Sequence, residues 1–134
     1  MADYTIANLK GDVEDQAPQF GLSPDLEARF ARQTLGLERS GLSYQRLAPG
    51  FRIPFGHTHS KQEETYVILS GSGRAKLDDE IVEVKAWDAV RVASGTWRGF
   101  EAGPDGMELI AFGERAGMTV DDSDSDMEQG WWRD

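Results

Sequence analysis

Residues 56–71 read Gly56-His57-Thr58-His59-Ser60-Lys61-Gln62-Glu63-Glu64-Thr65-Tyr66-Val67-Ile68-Leu69-Ser70-Gly71. Successive side chains of an extended segment point to opposite faces, so positions i and i+2 share one. His57 and His59, the only two histidines of the chain, therefore lie side by side. Two neutral imidazoles on one face can bite a single metal ion. Glu63 and Glu64 follow at the start of the next apolar run, and either carboxylate can return to that face. Two His plus one carboxylate is the ligand set of facial-triad iron sites, and it also suits Mn, Ni or Zn. In the run itself Tyr66 and Ile68 share one face, Val67 and Leu69 the other. A strand apolar on both faces is covered on both sides.

The same texture extends outward from this stretch. Short apolar segments at 42–48, 51–54, 64–70, 73–77, 81–85, 88–92, 97–101 and 106–112 alternate with turn signals. These are Pro49-Gly50, Gly71-Ser72-Gly73, Asp78-Asp79, Ser94-Gly95 and Gly103-Pro104-Asp105-Gly106. Many short strands at near-regular spacing specify an all-β sandwich or barrel over residues 40–113. Gly71-Ser72-Gly73 lacks the strand–GxGxxG–helix setting of a phosphate loop and reads as a hairpin turn. Tyr44, Tyr66, Trp87, Trp97 and Phe100 are the aromatic candidates for the barrel lining. Arg46 and Arg91 read as solvent-facing.

The flanks differ. In the arm 1–39, Ser23-Pro24-Asp25 carries helix-start chemistry, with Ser at N-cap, Pro at N1 and an acid in the first turn. Leu26 and Phe30 at i, i+4 then predict a short helix over about 24–35, ending near Gly36. The tail, residues 114–134, contains the run Asp121-Asp122-Ser123-Asp124-Ser125-Asp126-Met127-Glu128 and ends in Trp131-Trp132. Like charges keep the run extended. The two tryptophans are expected to fold back onto the barrel or onto a second subunit.

Composition narrows the function. The 134 residues suit one domain, and 24 Asp and Glu against 14 Lys and Arg give a net charge of −10. No basic cluster exists to release counterions from phosphates, which argues against nucleic acid and anionic membranes as partners. With no cysteine, disulfides, thiolate metal sites and cysteine nucleophiles are excluded. The pattern GxSxG is absent, and no serine has a second histidine around it. The start MADYTIANLK lacks the basic and apolar stretches of a signal peptide, and the apolar run Tyr66–Leu69 is far too short for a bilayer, so a cytoplasmic location is expected.

The spacing HxH, four residues, Glu, six residues, Gly resembles the first motif of the cupin family, matched by His57, His59, Glu64 and Gly71. The resemblance implies a double-stranded β-helix, the cupin jelly-roll barrel, over roughly 40–113. Family members with full motifs hold a divalent metal through two His, a Glu and a third His, so the resemblance implies His57, His59 and Glu64 as ligands of Fe, Mn, Ni or Zn. Family activities include dioxygenases, isomerases, epimerases and decarboxylases beside storage and ligand-sensing proteins, so the fold does not select a reaction. A homodimer is expected from the resemblance and from the outer face at Val67 and Leu69.

The second family motif, PxGxxH, is degenerate here: Ala93-Ser94-Gly95-Thr96-Trp97-Arg98 keeps Gly95 but has Ala93 for Pro and Arg98 for His. Trp87-Asp88 stands for the usual Gly-Asp. An Arg cannot coordinate metal and always carries charge. Either Arg98 points inward and pairs with Glu64, or it swings to the barrel mouth and leaves a three-ligand site. Three readings follow. One is a barrel binding a small ligand, with or without a metal. Another is a metal-dependent enzyme of dioxygenase or isomerase type, with Arg98, Tyr66 and Trp97 around a small anionic substrate and Tyr66 or Arg98 as catalytic candidates. The last is a metal-free, non-catalytic module built on an Arg98–Glu64 ion pair.

Overall fold

The computed structural model describes residues 1–115, 118 and 123–134. Among them, eight strands form one curled antiparallel sheet: β1 Leu26–Phe30, β2 Ser40–Leu47, β3 Phe55–His59, β4 Glu64–Leu77, β5 Glu80–Lys85, β6 Ala89–Val92, β7 Arg98–Glu114 and β8 Ser125–Gln129. A 3-10 turn, Ala17–Phe20, and a one-turn helix, α1 Arg32–Leu35, are the helical elements. No helix among the described residues is long and apolar enough to cross a membrane.

The barrel is organised by β4 and β7, which pair antiparallel along most of their length, from Glu64↔Gly113 to Leu77↔Arg98. One half of β7 also carries β2 (Ser43↔Ala111, Leu47↔Met107), and its first residue pairs with β3 (His57↔Arg98). Segments 64–70 and 73–77, expected to be a hairpin, are thus one strand, as are 97–101 and 106–112. Gly71 and Gly106 explain this. Both have left-handed φ (+75° and +78°), and a Cβ on Gly71 would lie 2.0 Å from the Gly106 carbonyl oxygen. The glycines let the two strands bend against each other while the register shifts between Ile68 and Ser70 and again between Gly71 and Gly73. A bulge, not a turn, is the result. The expected strand 51–54 contributes only the isolated bridge Arg52↔Glu101, and the true strand is β3.

The predicted helix over 24–35 is corrected as well. Residues 26–30 are an edge strand on β2, from Leu26↔Leu47 to Phe30↔Ser43. Leu26 and Ala28 are buried, whereas Phe30 is exposed. The period is therefore 2, not 3.6, and the pair Leu26/Phe30 does not share a buried face. Glu27 faces the other way and binds Arg29 (2.7 Å) on its own strand and Arg46 (3.1 Å) across the strand pair. Only residues 32–35 are helical.

Inward residues of β4, β6 and β7, among them Tyr66, Ile68, Val92, Phe100 and Leu109, form the core with Leu47 and Met107. Trp87 is exposed, in a left-handed turn (φ 73°), and does not line the barrel. The tail strand β8 lies antiparallel on β3 (Phe55↔Gln129 to His59↔Ser125). After the turn at Gly130, Trp131 covers Gly56 and Gly99: a Cβ on Gly56 would sit 2.3 Å from the indole. Trp132 is buried between the guanidiniums of Arg52 (4.4 Å) and Arg74 (5.4 Å).

Leu109 has no exposed surface. Leu109→Ala should lower unfolding free energy by about 2–5 kcal/mol, read as a reduced urea midpoint with unchanged slope.

Candidate metal and anion site

His57 and His59 project from the same face of β3, as the alternation of an extended strand requires. Their rings meet edge to face with centroids 5.2 Å apart. Glu64 opens β4 and Arg98 opens β7, so three strand ends converge on one point. His57 Nε2 lies 3.7 Å and His59 Nε2 3.2 Å from Glu64 Oε1. One ligand atom from each of the three residues falls within 4.8 Å of the other two, which makes the group able to hold a metal ion. Glu63, the other acid weighed for this role, faces out and pairs with Arg91 at 3.2 Å.

Arg98 points inward. It is fully buried, and Nη2 sits 3.5 Å from Glu64 Oε1. The mouth-facing alternative is excluded. Nη1 donates to the Thr96 carbonyl at 3.0 Å. Nε and Nη2 have no hydrogen-bond acceptor among the described residues. The guanidinium carbon lies 5.9 Å from the Tyr66 ring centroid. Tyr66 is buried, tilts against Phe100 (4.7 Å) and donates its hydroxyl to Glu64 Oε1 at 2.7 Å. The hydroxyl is also 3.4 Å from His57 Nε2.

Trp97 does not join this group. Strand alternation turns it away from Arg98, and its ring stacks on Trp131 at 6.0 Å, with Gly99 beneath the same indole.

Two residues that the sequence reading did not single out complete the cluster. Asp124, whose side chain is 2 % exposed, lies 2.9 Å from His59 Nδ1. It also accepts from the backbone amides of Lys61 (2.9 Å) and Gln62 (2.8 Å) and from Gln62 Nε2 (2.8 Å). Gln62 is itself buried. The available signal was the alternation Asp124-Ser125-Asp126, which is strand-like, but the density of charge masks it.

These contacts set the protonation states. Burial raises the Glu64 carboxyl, but hydrogen bonds from His57, His59 and Tyr66 outweigh it and hold the group well below the usual carboxylate range. For Asp124, burial is likewise outweighed, here by His59, Gln62 and Lys61, and the carboxyl is lowered. Burial lowers the His59 imidazole, yet Glu64 and Asp124 together raise it. Burial, then the Glu64 charge, pushes Tyr66 well above the ordinary phenol value, so the hydroxyl stays protonated and donates.

The model of the family described as a cupin domain matches residues 43–112. A cupin protein from Bacteroides fragilis is similar in structure, with TM-score 0.70 and 27 % identity over 87 % of this chain and 88 % of that one. A Klebsiella pneumoniae protein with a double-stranded β-helix domain gives TM-score 0.68 and 15 % identity, covering 95 % of this chain and 99 % of that one. Oxalate decarboxylase from Bacillus subtilis gives TM-score 0.69 and 22 % identity, covering 93 % of this chain but 32 % of that one. A search of curated proteins finds no match.

The shifts predict a two-limbed pH profile for metal-free protein. Glu64 and Asp124 have lowered folded values, so their stabilisation is present above the usual carboxylate pKa and is lost as pH falls through the lowered ones. The raised His59 stabilises below its unfolded pKa, and that contribution is lost as pH rises through the folded one. Stability in EDTA should therefore peak between about pH 5 and 6.5. Urea titrations across pH should show the acid limb flattened in Glu64→Gln.

Proposed function

The chain belongs to the cupin family, and from that premise we propose that its barrel binds a small anionic ligand beside a divalent metal held by His57, His59 and Glu64. The buried guanidinium of Arg98, with Nε and Nη2 lacking acceptors next to the three ligands, carries this reading. A buried charge is costly unless paired and hydrogen-bonded. Glu64 offers Arg98 an ion pair at 3.5 Å but already accepts the Tyr66 hydroxyl. A carboxylate or other oxyanion would satisfy the free fork of Arg98 in the bidentate manner that guanidinium favours.

The donor set fits a divalent ion with three protein ligands and positions left for water or a small molecule. A metal bound there supplies Lewis-acid or redox chemistry to a coordinated anion. Arg98 binds and orients that anion. Tyr66 keeps a proton on Oη and offers it at the cluster. Ile68, Phe100 and Leu109, all buried, exclude water from the far side. The metal-dependent enzyme reading, of dioxygenase or isomerase type, takes these same roles, with Arg98 as the clamp and Tyr66 as the proton donor.

A second reading rests on the 3.5 Å approach of Arg98 to Glu64. The guanidinium then occupies the carboxylate in place of a cation, and the barrel is a metal-free anion binder. A homodimer belongs to either reading. Val67 and its register partner Ile110 are partly exposed, and Phe112 is exposed, on the outer face that a second copy would cover.

Elemental analysis of untagged protein, followed by add-back of Fe, Mn, Ni and Zn, separates the readings. Near-stoichiometric metal that is lost in His57→Ala sustains the first. No metal under any add-back, together with a melting temperature raised by oxalate, acetate or inorganic phosphate in wild type but not in Arg98→Gln, selects the second. Arg98→His should supply a third imidazole and so a fourth ligand, tighten metal by about tenfold or more, equivalent to about 1.4 kcal/mol, and abolish the anion-dependent stabilisation.

A further inference from the structure

Asp124 sits beyond the barrel proper, just before β8, yet its carboxylate is at the centre of the turn that joins the histidines to Glu64. Oδ1 is 2.9 Å from His59 Nδ1 and accepts from Gln62 Nε2 at 2.8 Å, while Oδ2 accepts the amides of Lys61 and Gln62. The backbone joins in: the Ser60 amide donates to the Asp124 carbonyl at 3.0 Å. Every residue from 59 to 62 is therefore bonded to this one residue. Four residues separate His59 from Glu64, and Asp124 bonds three of them, Ser60, Lys61 and Gln62. A neutral imidazole has one N–H and one lone pair. In a metal-bound, neutral ring Nδ1–H would stay on Asp124 and the lone pair would fall on Nε2, the nitrogen that in the metal-free protein faces Glu64 Oε1 at 3.2 Å. Among the described residues the other histidine has no such anchor: His57 Nε2 faces the same oxygen from 3.7 Å, and its side chain is more exposed, 28 % against 13 % for His59.

We propose that Asp124 is a positioning residue that fixes the His59 ring and the 60–62 turn in ligand geometry, so that docking of the C-terminal segment on β3 and occupancy of the metal site reinforce each other. It rests on the metal reading above. Carboxylates that hold the outer nitrogen of a ligating histidine fix its tautomer and orientation, and losing one costs about 10–100-fold in metal affinity. By linkage, whatever the docked segment adds to metal affinity, bound metal adds to docking. The geometry is prepared without the metal, because the anchor uses only protein groups.

The test compares wild type, Asp124→Ala, Asp124→Asn and the control Asp126→Ala, an exposed position on β8. Three quantities are measured on full-length, untagged protein: Zn affinity by competition with a chelator; the His59 tautomer by long-range proton–nitrogen NMR on metal-free protein, above the pH at which the ring titrates; and hydrogen exchange of the Lys61 and Gln62 amides and of β8, with and without Zn. Asp124→Ala should weaken Zn by about 10–100-fold, lower the Nδ1–H population of the metal-free ring and deprotect both amides. Asp124→Asn, which keeps the shape and one acceptor, should fall between. Zn should slow exchange in β8 of wild type but not of Asp124→Ala. An unchanged tautomer, or unchanged Zn affinity in a folded Asp124→Ala, overturns the proposal. If wild type binds no metal, the metal reading falls, and the tautomer and amide exchange alone decide whether Asp124 anchors the ring.

Discussion

One carboxylate oxygen, Glu64 Oε1, is approached at once by His57, His59, Tyr66 and Arg98, at 3.7, 3.2, 2.7 and 3.5 Å. Little else in the barrel interior is charged. The arrangement of strand ends follows from keeping this oxygen solvated by protein groups once water is gone, because an unpaired buried charge costs on the order of several kcal/mol. β3 must bring both imidazoles to the oxygen, β7 must begin at Arg98, and β4 must begin at Glu64. The pairing His57↔Arg98 ties the first two together, and β4 against β7 ties the third. Removing any one partner leaves the others with a charge that has no solvent to fall back on.

Arg98 changes what such a centre can do. An imidazole in its place would add a lone pair, whereas the guanidinium adds a fixed positive charge and donors arranged in a fork. In the centre a His-His-Glu group able to hold a metal and a buried guanidinium thereby share a wall. Tyr66, held protonated, gives that wall a third kind of group, a neutral donor.

The site was largely legible in the sequence because its ligands come from one short stretch. His57, His59 and Glu64 lie within eight residues, and alternation alone puts the histidines on one face. Inward Arg98 was one of two outcomes weighed, since strand parity at a degenerate motif does not say which way a charged side chain turns. Asp124 was hidden by distance: 65 residues separate it from His59, and it sits in an acidic run whose composition suggests only solvation. The all-β class was legible from turn spacing, but local turn chemistry misplaced two joints. Glycine at 71 and at 106 marks a bend between long strands as readily as a chain reversal, and only the partner strand distinguishes the two. Residues 26–30 show the same conflict. Ser23, Pro24 and Asp25 are good helix-start chemistry, but the Leu-Glu-Ala-Arg alternation and a waiting edge of β2 outweigh it.

The order of the elements along the chain also gives the molecule a history. A chain made from its N-terminus presents β3 and its two histidines before any other residue of the centre. Glu64 follows within a few residues, Arg98 only after β6, and Asp124 near the very end. Domains assemble from the N-terminal side during synthesis, and pairings between remote segments form late because loop closure precedes their reward. The imidazoles are therefore in place before the carboxylate of Asp124, 65 positions further on, can reach His59. The strap of β8, Trp131 and Trp132 is the most remote in sequence of the segments laid on β3, so its docking carries the larger loop-closure cost and follows the pairing of the barrel strands.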